Sequence, residues 1–371
     1  MTRGRAIVAI VMLLTLLMAW DVQANRDDFI NSWQDGFAAE MPHPGTFKEA
    51  AKQGQVVQAA GAARELIVCA NVGSIIIRGV ETDEISAAYS YAVQTDTDAQ
   101  ANRYLEQLAV RFVEGADDSI VLEFAEPMVR PTYAHSVTCD LEIEVPSHMS
   151  VAIESWSTLQ ITDIHGGVRA TGEGGATAER IGGDLSLHTA YGHLTVSHIG
   201  GSADLSNPGG QSTSVSAVAG DLKLQASHEL GTVEVRGVGG NCDVMTLGPV
   251  TRISEVQGET RVQGQSHFNL ARPAGAVVAD VHGGSLTVTG LKGSLKASGT
   301  KTLMKLELAP EAGFEVKADL RMSSFFSDYT LDTKSGLMQQ EMDISGTIGD
   351  GANPLEVTLH AGTLEIRKAG S

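Results

Sequence analysis

Beyond position 150 the chain repeats one phrase of apolar and polar positions, aliphatic-x-aliphatic-x-x-aliphatic-x-Gly. It stands at Leu159/Ile161/Ile164, Leu194/Val196/Ile199, Val233/Val235/Val238 and Leu286/Val288/Leu291, with weaker copies ending at Ile181, Val218 and Val256. From Ile164 to Val256 the end positions fall 17 to 20 residues apart, the kind of fixed period that marks a repeat architecture. The 35-residue step from Val256 to Leu291 leaves room for two periods, with a degenerate copy at Phe268-Asn269-Leu270. Within each copy the apolar positions alternate, which is the strand period. At ~3.3 Å per residue one period makes two or three short strands and their corners, a single coil, and coils stack ~4.8 Å apart. The pattern predicts an all-β chain whose residues 151–310 form a single-path β-solenoid, parallel β-helix-like, of 17–20 residues per coil. Glycines are read as its corners: Gly166, Gly167, Gly182, Gly183, Gly200, Gly201, Gly220, Gly239, Gly240, Gly258 and Gly293. Glycine there would supply positive φ and let neighbouring coils approach closely.

The flanks differ. Residues 25–60 are polar and weakly patterned, a leader in which Phe47–Lys52 has the composition of a helical turn or two. Residues 61–150 read as a β region that caps the repeats. Leu66, Val68, Ile75 and Ile77 alternate around Gly73, strand patterns return at Ser119–Phe124 and Ser136–Val145, and Pro146 ends the last. One short helix is predicted over Asp96–Leu108, with Ala99, Tyr104, Leu105 and Leu108 on one face and Asp96 or Asp98 as cap. Residues 311–371 continue the β pattern through Phe325-Phe326 and LEVTLHAGTLEIRK, and read as the opposite cap. Exposed strand edges at the ends of a stack template aggregation, so both ends need covering.

The first residues change the picture of where the chain works. Arg3 and Arg5 precede an apolar run, Ala6–Trp20, and Val22-Gln23-Ala24 supplies small residues at a cleavage site, so residues 1–24 read as a signal peptide. The run is shorter than the ~20 residues a span needs, and Asn25 rather than cysteine follows the cut. The expected mature chain is exported, to the periplasm or cell surface, and does not span a membrane. Its loss of two arginines and one aspartate leaves 24 basic against 44 acidic side chains, a balance of −20. That charge argues against nucleic acid as a partner. Aromatics are only 5% of the chain beside 41 glycines, which suits a narrow core of stacked aliphatic side chains. Of three cysteines, Cys69 and Cys139 lie in strand patterns near the front and are the expected disulfide in an oxidising compartment. Cys242 aligns with Leu185 in the repeat and reads as a small buried apolar side chain.

Candidate chemistry is sparse. The glycine pairs match neither GxGxxG nor GxxxxGK[ST], and no helix pattern follows them, so no nucleotide cofactor is expected. His165, His188, His193 and His198 crowd together, with His228, His267 and His282 beyond, but the period puts most on different columns, so no metal site is assigned. Asp163, Arg180 and His198 share one column. Asp184, Asp204, Asp221 and Asp243 each follow a glycine corner; a column of carboxylates would suit acid/base work on a polysaccharide. Their phase slips, Asp204 and Asp243 falling later than Asp184 and Asp221, and corner amides explain aspartates in turns more simply. No Gly-x-Ser-x-Gly elbow appears. Trp156 reads as a plug over the first coil rather than a sugar platform.

In ELIVCANVGSIIIRG, LEIEVPSHMSVAIES and HAGTLEIRK, and in the repeated phrase between them, the chain resembles a bacterial putative-adhesin family, a domain of unknown function. The likeness runs over roughly 61–368. It implies a β-solenoid in the cell envelope and brings no catalytic residues. The function expected is therefore non-enzymatic: a rigid scaffold or adhesin-like module whose outer faces bind an envelope protein, a glycan or its own kind. The small polar residues of Gln211–Ser216 and Thr260–Ser266 supply such faces. The alternative is a polysaccharide-acting enzyme using carboxylates on one solenoid face.

Overall fold

The computed structural model describes residues 47–369 apart from 71–72, 126–133, 156, 228–230 and 337–339. The signal segment, most of the leader, Trp156 and His228 lie outside the described residues. The described residues are all-β with one α-helix, and their strands join in a single sheet.

From Val168 to Ser227 strands pair not with their sequence neighbours but with the strands two places before and after. Beyond that, Cys242–Val256 and Thr260–Ala271 are long enough to run through both columns and so pair with the adjacent strands as well. Val168–Gly172 lies in parallel between Ser150–Ser155 and Leu185–Thr189, and Ala176–Ile181 between Thr158–Thr162 and Tyr191–Ile199. Two columns result, and each consecutive pair of strands forms a rung. The register shift runs from 17 residues at Val168↔Leu185 to 20 at Leu222↔Cys242, the spacing of the repeated phrase. The step from Val256 to Leu291 holds two rungs, since Phe268 and Leu270 pair with Thr251 and Ile253 below and with Leu286 and Val288 above.

Inward positions stack into aliphatic columns. Val196, Val215, Val235, Ile253, Leu270, Val288 and Leu306 follow one another in register and are 2% exposed or less. Cys242 continues the column of Leu185, Ala203 and Leu222 and is fully buried. A core two strands wide has room for few rings, which accounts for the low aromatic content.

Two features of the corners separate what glycine was expected to do in one place. Positive φ falls just before the buried aliphatic that ends each rung: Asp163 (φ 63), Arg180 (56), His198 (57), Ala217 (54), Glu255 (60) and Arg272 (53), with Gly237 and Gly290 continuing the column. None of the paired corner glycines has positive φ. Close approach is what excludes a side chain from all of them but Gly167. Gly166, Gly183, Gly201, Gly220, Gly240 and Gly258 form a ladder in which each N–H donates to the carbonyl one rung below, at 3.0–3.1 Å. A Cβ on Gly183 would sit 2.8 Å from Gly166 O, and one on Gly258 2.6 Å from Gly240 O.

The ends depart from chain order. Glu65–Ala70 and Ser74–Val80 form a rung inserted between that of Ser119–Ala125 with Ala134–Pro146 and that of Ser150–Ser155 with Thr158–Thr162. Asn353–His360 and Thr363–Lys368 are likewise inserted between Leu295–Thr300 with Leu303–Leu308 and Phe314–Arg321 with Ser324–Ser327. Antiparallel strands finish both ends. Glu84–Thr95 and then Lys48–Ala59 cover one, while Glu341–Ile348 and then Asp332–Ser335 cover the other. The helical turn expected at Phe47–Lys52 is therefore strand: pairing along the whole of Glu84–Thr95 outweighs local helix propensity.

The helix spans Asp98–Glu106, and Thr97, rather than Asp96 or Asp98, caps it. Thr97 Oγ1 accepts from Gln100 N (3.3 Å) and Gln100 Oε1 accepts from Thr97 N (3.0 Å), a reciprocal capping box. Lys52 Nζ donates to the Leu105 and Leu108 carbonyls, placing a cation at the negative end of the helix. Ala101, not Ala99, joins Tyr104 and Leu105 in the buried face.

The expected Cys69–Cys139 disulfide does not form. The two residues stand on strands of opposite columns, Cys139 facing the core and Cys69 facing out beside Glu154 and Glu123. Burial pushes the Cys242 thiol up to about 12. Partial burial and then the two glutamates raise Cys69.

Two measurements check this arrangement. Gly258→Ala, which drives a methyl into Gly240 O, should cost ~1–3 kcal/mol in denaturant unfolding. Gly167→Ala, whose Cβ would lie 3.5 Å from its nearest neighbour, should be near neutral. Equal loss for both would refute the ladder. With a thiol reagent, native protein should modify at Cys69 alone, and unfolded protein at all three cysteines. Because the Cys69 thiol is raised, its thiolate fraction and rate should keep climbing beyond pH 9.

Candidate functional site

The corner glycine ladder shapes the column beside it. One residue past Gly183, Gly201, Gly220 and Gly240, and at the equivalent Ser150 one rung below the ladder, the side chain reaches the amide of the next rung. Ser150 Oγ accepts from Gly167 N (3.2 Å) and Asp184 Oδ1 from Ser202 N (2.8 Å). Ser202 Oγ accepts from Asp221 N (3.2 Å), Asp221 Oδ1 from Asn241 N (2.7 Å), and Asn241 Oδ1 from Glu259 N (2.9 Å). Short acceptor side chains recur here because each rung presents an amide that its own strand leaves unpaired.

Two residues further along, on the same outward face, runs a second column in register: Arg169, Ser186, Asp204, Lys223 and Asp243. The two columns are the walls of an open groove of roughly 660 Å³ along the axis, floored by the strand backbone at Val168, Leu185, Ala203 and Leu222. The four aspartates that the sequence separates by phase meet in it. Asp184 and Asp221 stand on the corner wall, Asp204 and Asp243 on the strand wall. Successive rungs therefore carry one carboxylate each, alternating between walls. A slip of two residues does not take a strand side chain to the other face, because that period is two. Counted from the glycines the slip reads as a loss of register; it is the width of the groove.

Charge in the groove is mixed. Arg169 lies 3.7 Å from Glu65 at one end, and Lys223 stands between Asp204 and Asp243 with no ion pair among the described residues. Hydroxyls of Ser186 and Ser202 and the amide of Asn241 fill the places between.

The histidines do not converge. His193 Nδ1 lies 2.7 Å from Ser212 Oγ and His267 Nδ1 2.9 Å from Ser285 Oγ, on one column but several rungs apart. His188 lies by Ser186, and His198 is exposed in the positive-φ column. Among the described residues no three His, Cys, Asp or Glu side chains gather to hold a metal. In the positive-φ column Arg180 pairs with Asp163 through Nε (2.6 Å) and Nη2 (2.9 Å), which holds the Asp163 carboxyl below the usual carboxylate range. No described helix is long and apolar enough to cross a membrane.

No family model and no curated protein matches the chain. Among solved structures it is similar to a putative cell adhesion protein from Clostridium sporogenes, at 12% identity over 86% of this chain and 100% of that one, TM-score 0.21. It is also similar to putative adhesins from Bacteroides fragilis (11% identity, 69% and 96% covered, TM-score 0.33) and Parabacteroides distasonis (10%, 69% and 93%, TM-score 0.31). At those identities and scores the likeness transfers no function, and what this chain does is read from its own residues.

Proposed function

We propose that the chain is an exported, non-enzymatic binding rod of the cell envelope: a β-solenoid that holds an extended glycan along the groove between its two polar walls. The observation that carries this reading is the alternation of Asp184, Asp204, Asp221 and Asp243, one carboxylate per rung. Rungs repeat every ~4.8 Å along the axis, close to the advance of one pyranose ring in an extended chain. Carboxylates, hydroxyls and an amide at that repeat match the hydroxyl pairs of successive sugars. The corner wall is fixed by its bonds to main-chain amides, so little ordering remains to be done on binding. None of the described residues lining the groove offers an aromatic ring for stacking, so each contact is weak, and adhesion rests on many rungs and many copies acting together.

The polysaccharide-acting enzyme draws on the same residues. Asp204 and Asp243 stand two rungs apart on one wall, or ~10 Å, at the outer limit of carboxylate pairs in inverting glycosidases. Lys223 lies between them in register, where the scissile bond would have to sit. Asp184 and Asp221 each commit an oxygen to a corner amide. Binding without cleavage is the better account.

A panel of soluble envelope polysaccharides tests it. The wild-type chain should bind at least one, and D204A/D243A should weaken that binding about tenfold, or ~1.4 kcal/mol, with His267→Ala unchanged. New reducing ends during incubation would overturn the non-enzymatic reading. Equal binding by wild type and D204A/D243A would remove the groove from it.

A further inference from the structure

The rung formed by Asn353–His360 and Thr363–Lys368 occupies a slot that another molecule can fill. On its inner side Lys301 N donates to His360 O (2.9 Å) and Thr363 N to Thr302 O (3.0 Å); on its outer side Ala361 N donates to Arg321 O (2.9 Å) and Ser324 N to Gly362 O (3.0 Å). Leu355, Leu359, Leu364 and Ile366 are fully buried in it, and Val357 is 3% exposed. If this rung left, Leu295–Thr300 and Phe314–Arg321 would face each other ~10 Å apart, two strand spacings, each with an unpaired edge. Ala309–Gly313 joins the slot's two walls across that gap. The slot requires an occupant with two strands.

The link 349–352 ties the occupant to Glu341–Ile348. Glu341–Ile348 pairs on the far side of Phe314–Arg321 and Asn353–His360 on the near side, so the link must pass over that strand in four residues. It does so with positive φ at Gly349 (62°) and Gly351 (73°), and it presses so closely on Gly313 that a Cβ there would strike Asp350. Short, conformationally restricted hinges of this kind favour exchange of the element they carry. The register is also marked by charge: Glu356 lies between Lys296 and Lys317 on the outer face. Residues 353–368 of a second copy present the same backbone, apolar side chains and Glu356. Filling in trans therefore reproduces every bond of filling in cis and alters only the link.

We propose that copies of this chain exchange the rung of residues 353–368, each completing the stack of the other, so that the protein self-associates through the slot between 295–308 and 314–327. Reciprocal exchange gives a closed two-fold dimer, and one-way exchange gives an open array.

Chains carrying one added cysteine test this in a C69S background, oxidised only after refolding has buried Cys139 and Cys242. K296C and E356C place thiols at register partners on the outer face. When the two chains are refolded together and oxidised, a disulfide-linked K296C–E356C heterodimer should appear, its share rising at least tenfold over a hundredfold increase in concentration. The double variant K296C/E356C, refolded dilute, should close within one chain and so verify the register. Deleting Asp350 should shift the population further to dimer. Intramolecular closure of the double variant with strictly monomeric single variants at every concentration would overturn the proposal. Failure of the double variant to close would remove the slot itself.

Discussion

The structure depends on the approach of one rung's main chain to the next at the glycine corner. There each N–H meets a carbonyl at 3.0–3.1 Å with no Cβ between them. This contact sets the spacing and the phase of the rungs, and the neighbouring columns inherit both. Once the glycines are stacked, the next residue along faces an amide from the following rung, and only a short acceptor satisfies it. Asp184, Ser202, Asp221 and Asn241 are answers to that local demand. A fold requirement thus produces a row of polar side chains at fixed intervals, and the groove needs only the second row, from Arg169 to Asp243, to become a recognition surface.

The positive-φ column shows how strongly the ladder governs. A non-glycine residue in the left-handed region costs roughly 1–2 kcal/mol, yet aspartate, arginine, histidine, alanine and glutamate all adopt it at equivalent places. Ion pairs do not explain this. Arg180–Asp163 and the pairing of Glu255 with Arg236 and Arg272 are exposed, and such pairs contribute little. Ala217 has no pair to make and takes the same conformation. The strands on either side are fixed by stacking, and the corner residue adopts the only geometry that joins them. Chemically unlike residues are therefore free to vary there.

How much of this the sequence discloses follows from which contacts are periodic. The repeated phrase discloses the rungs, because Ile181, Ile199, Val218, Val238 and Val256 are stacked partners as well as spaced repeats. Alignment of Cys242 with Leu185 holds for the same reason. The groove is hidden because glycine-anchored alignment places its aspartates in two phases, and only the strand period shows that both phases face outward together. The helix is visible as an amphipathic run, and its start was written in Thr97-x-x-Gln100, a signal eclipsed by the neighbouring aspartates. Lys48-Glu49-Ala50-Ala51-Lys52 is a run of helix formers held as strand by a partner more than thirty residues away. Cys69 and Cys139 share a strand-like setting in sequence, but whether a side chain points in or out depends on the phase of each strand.

The ends were the least legible part, since nothing in a local pattern reveals that a rung is placed out of chain order. Their physical logic is shared. At one end Ser74–Val80 and Glu84–Thr95 lie on either side of Ala134–Pro146; at the other Glu341–Ile348 and Asn353–His360 lie on either side of Phe314–Arg321. In each case a hairpin straddles the outermost strand of the parallel stack. A stack assembled in simple chain order would fray from its last rung inward, because that rung is held on one side only. Here the last rung cannot leave without opening the hairpin around it, and the hairpin cannot open without withdrawing the penultimate rung from between two others. Fraying at the tip thus becomes a cooperative event spanning two layers. The same linkage makes the penultimate rung indispensable, so whichever copy supplies it, the end is complete only when that place is filled.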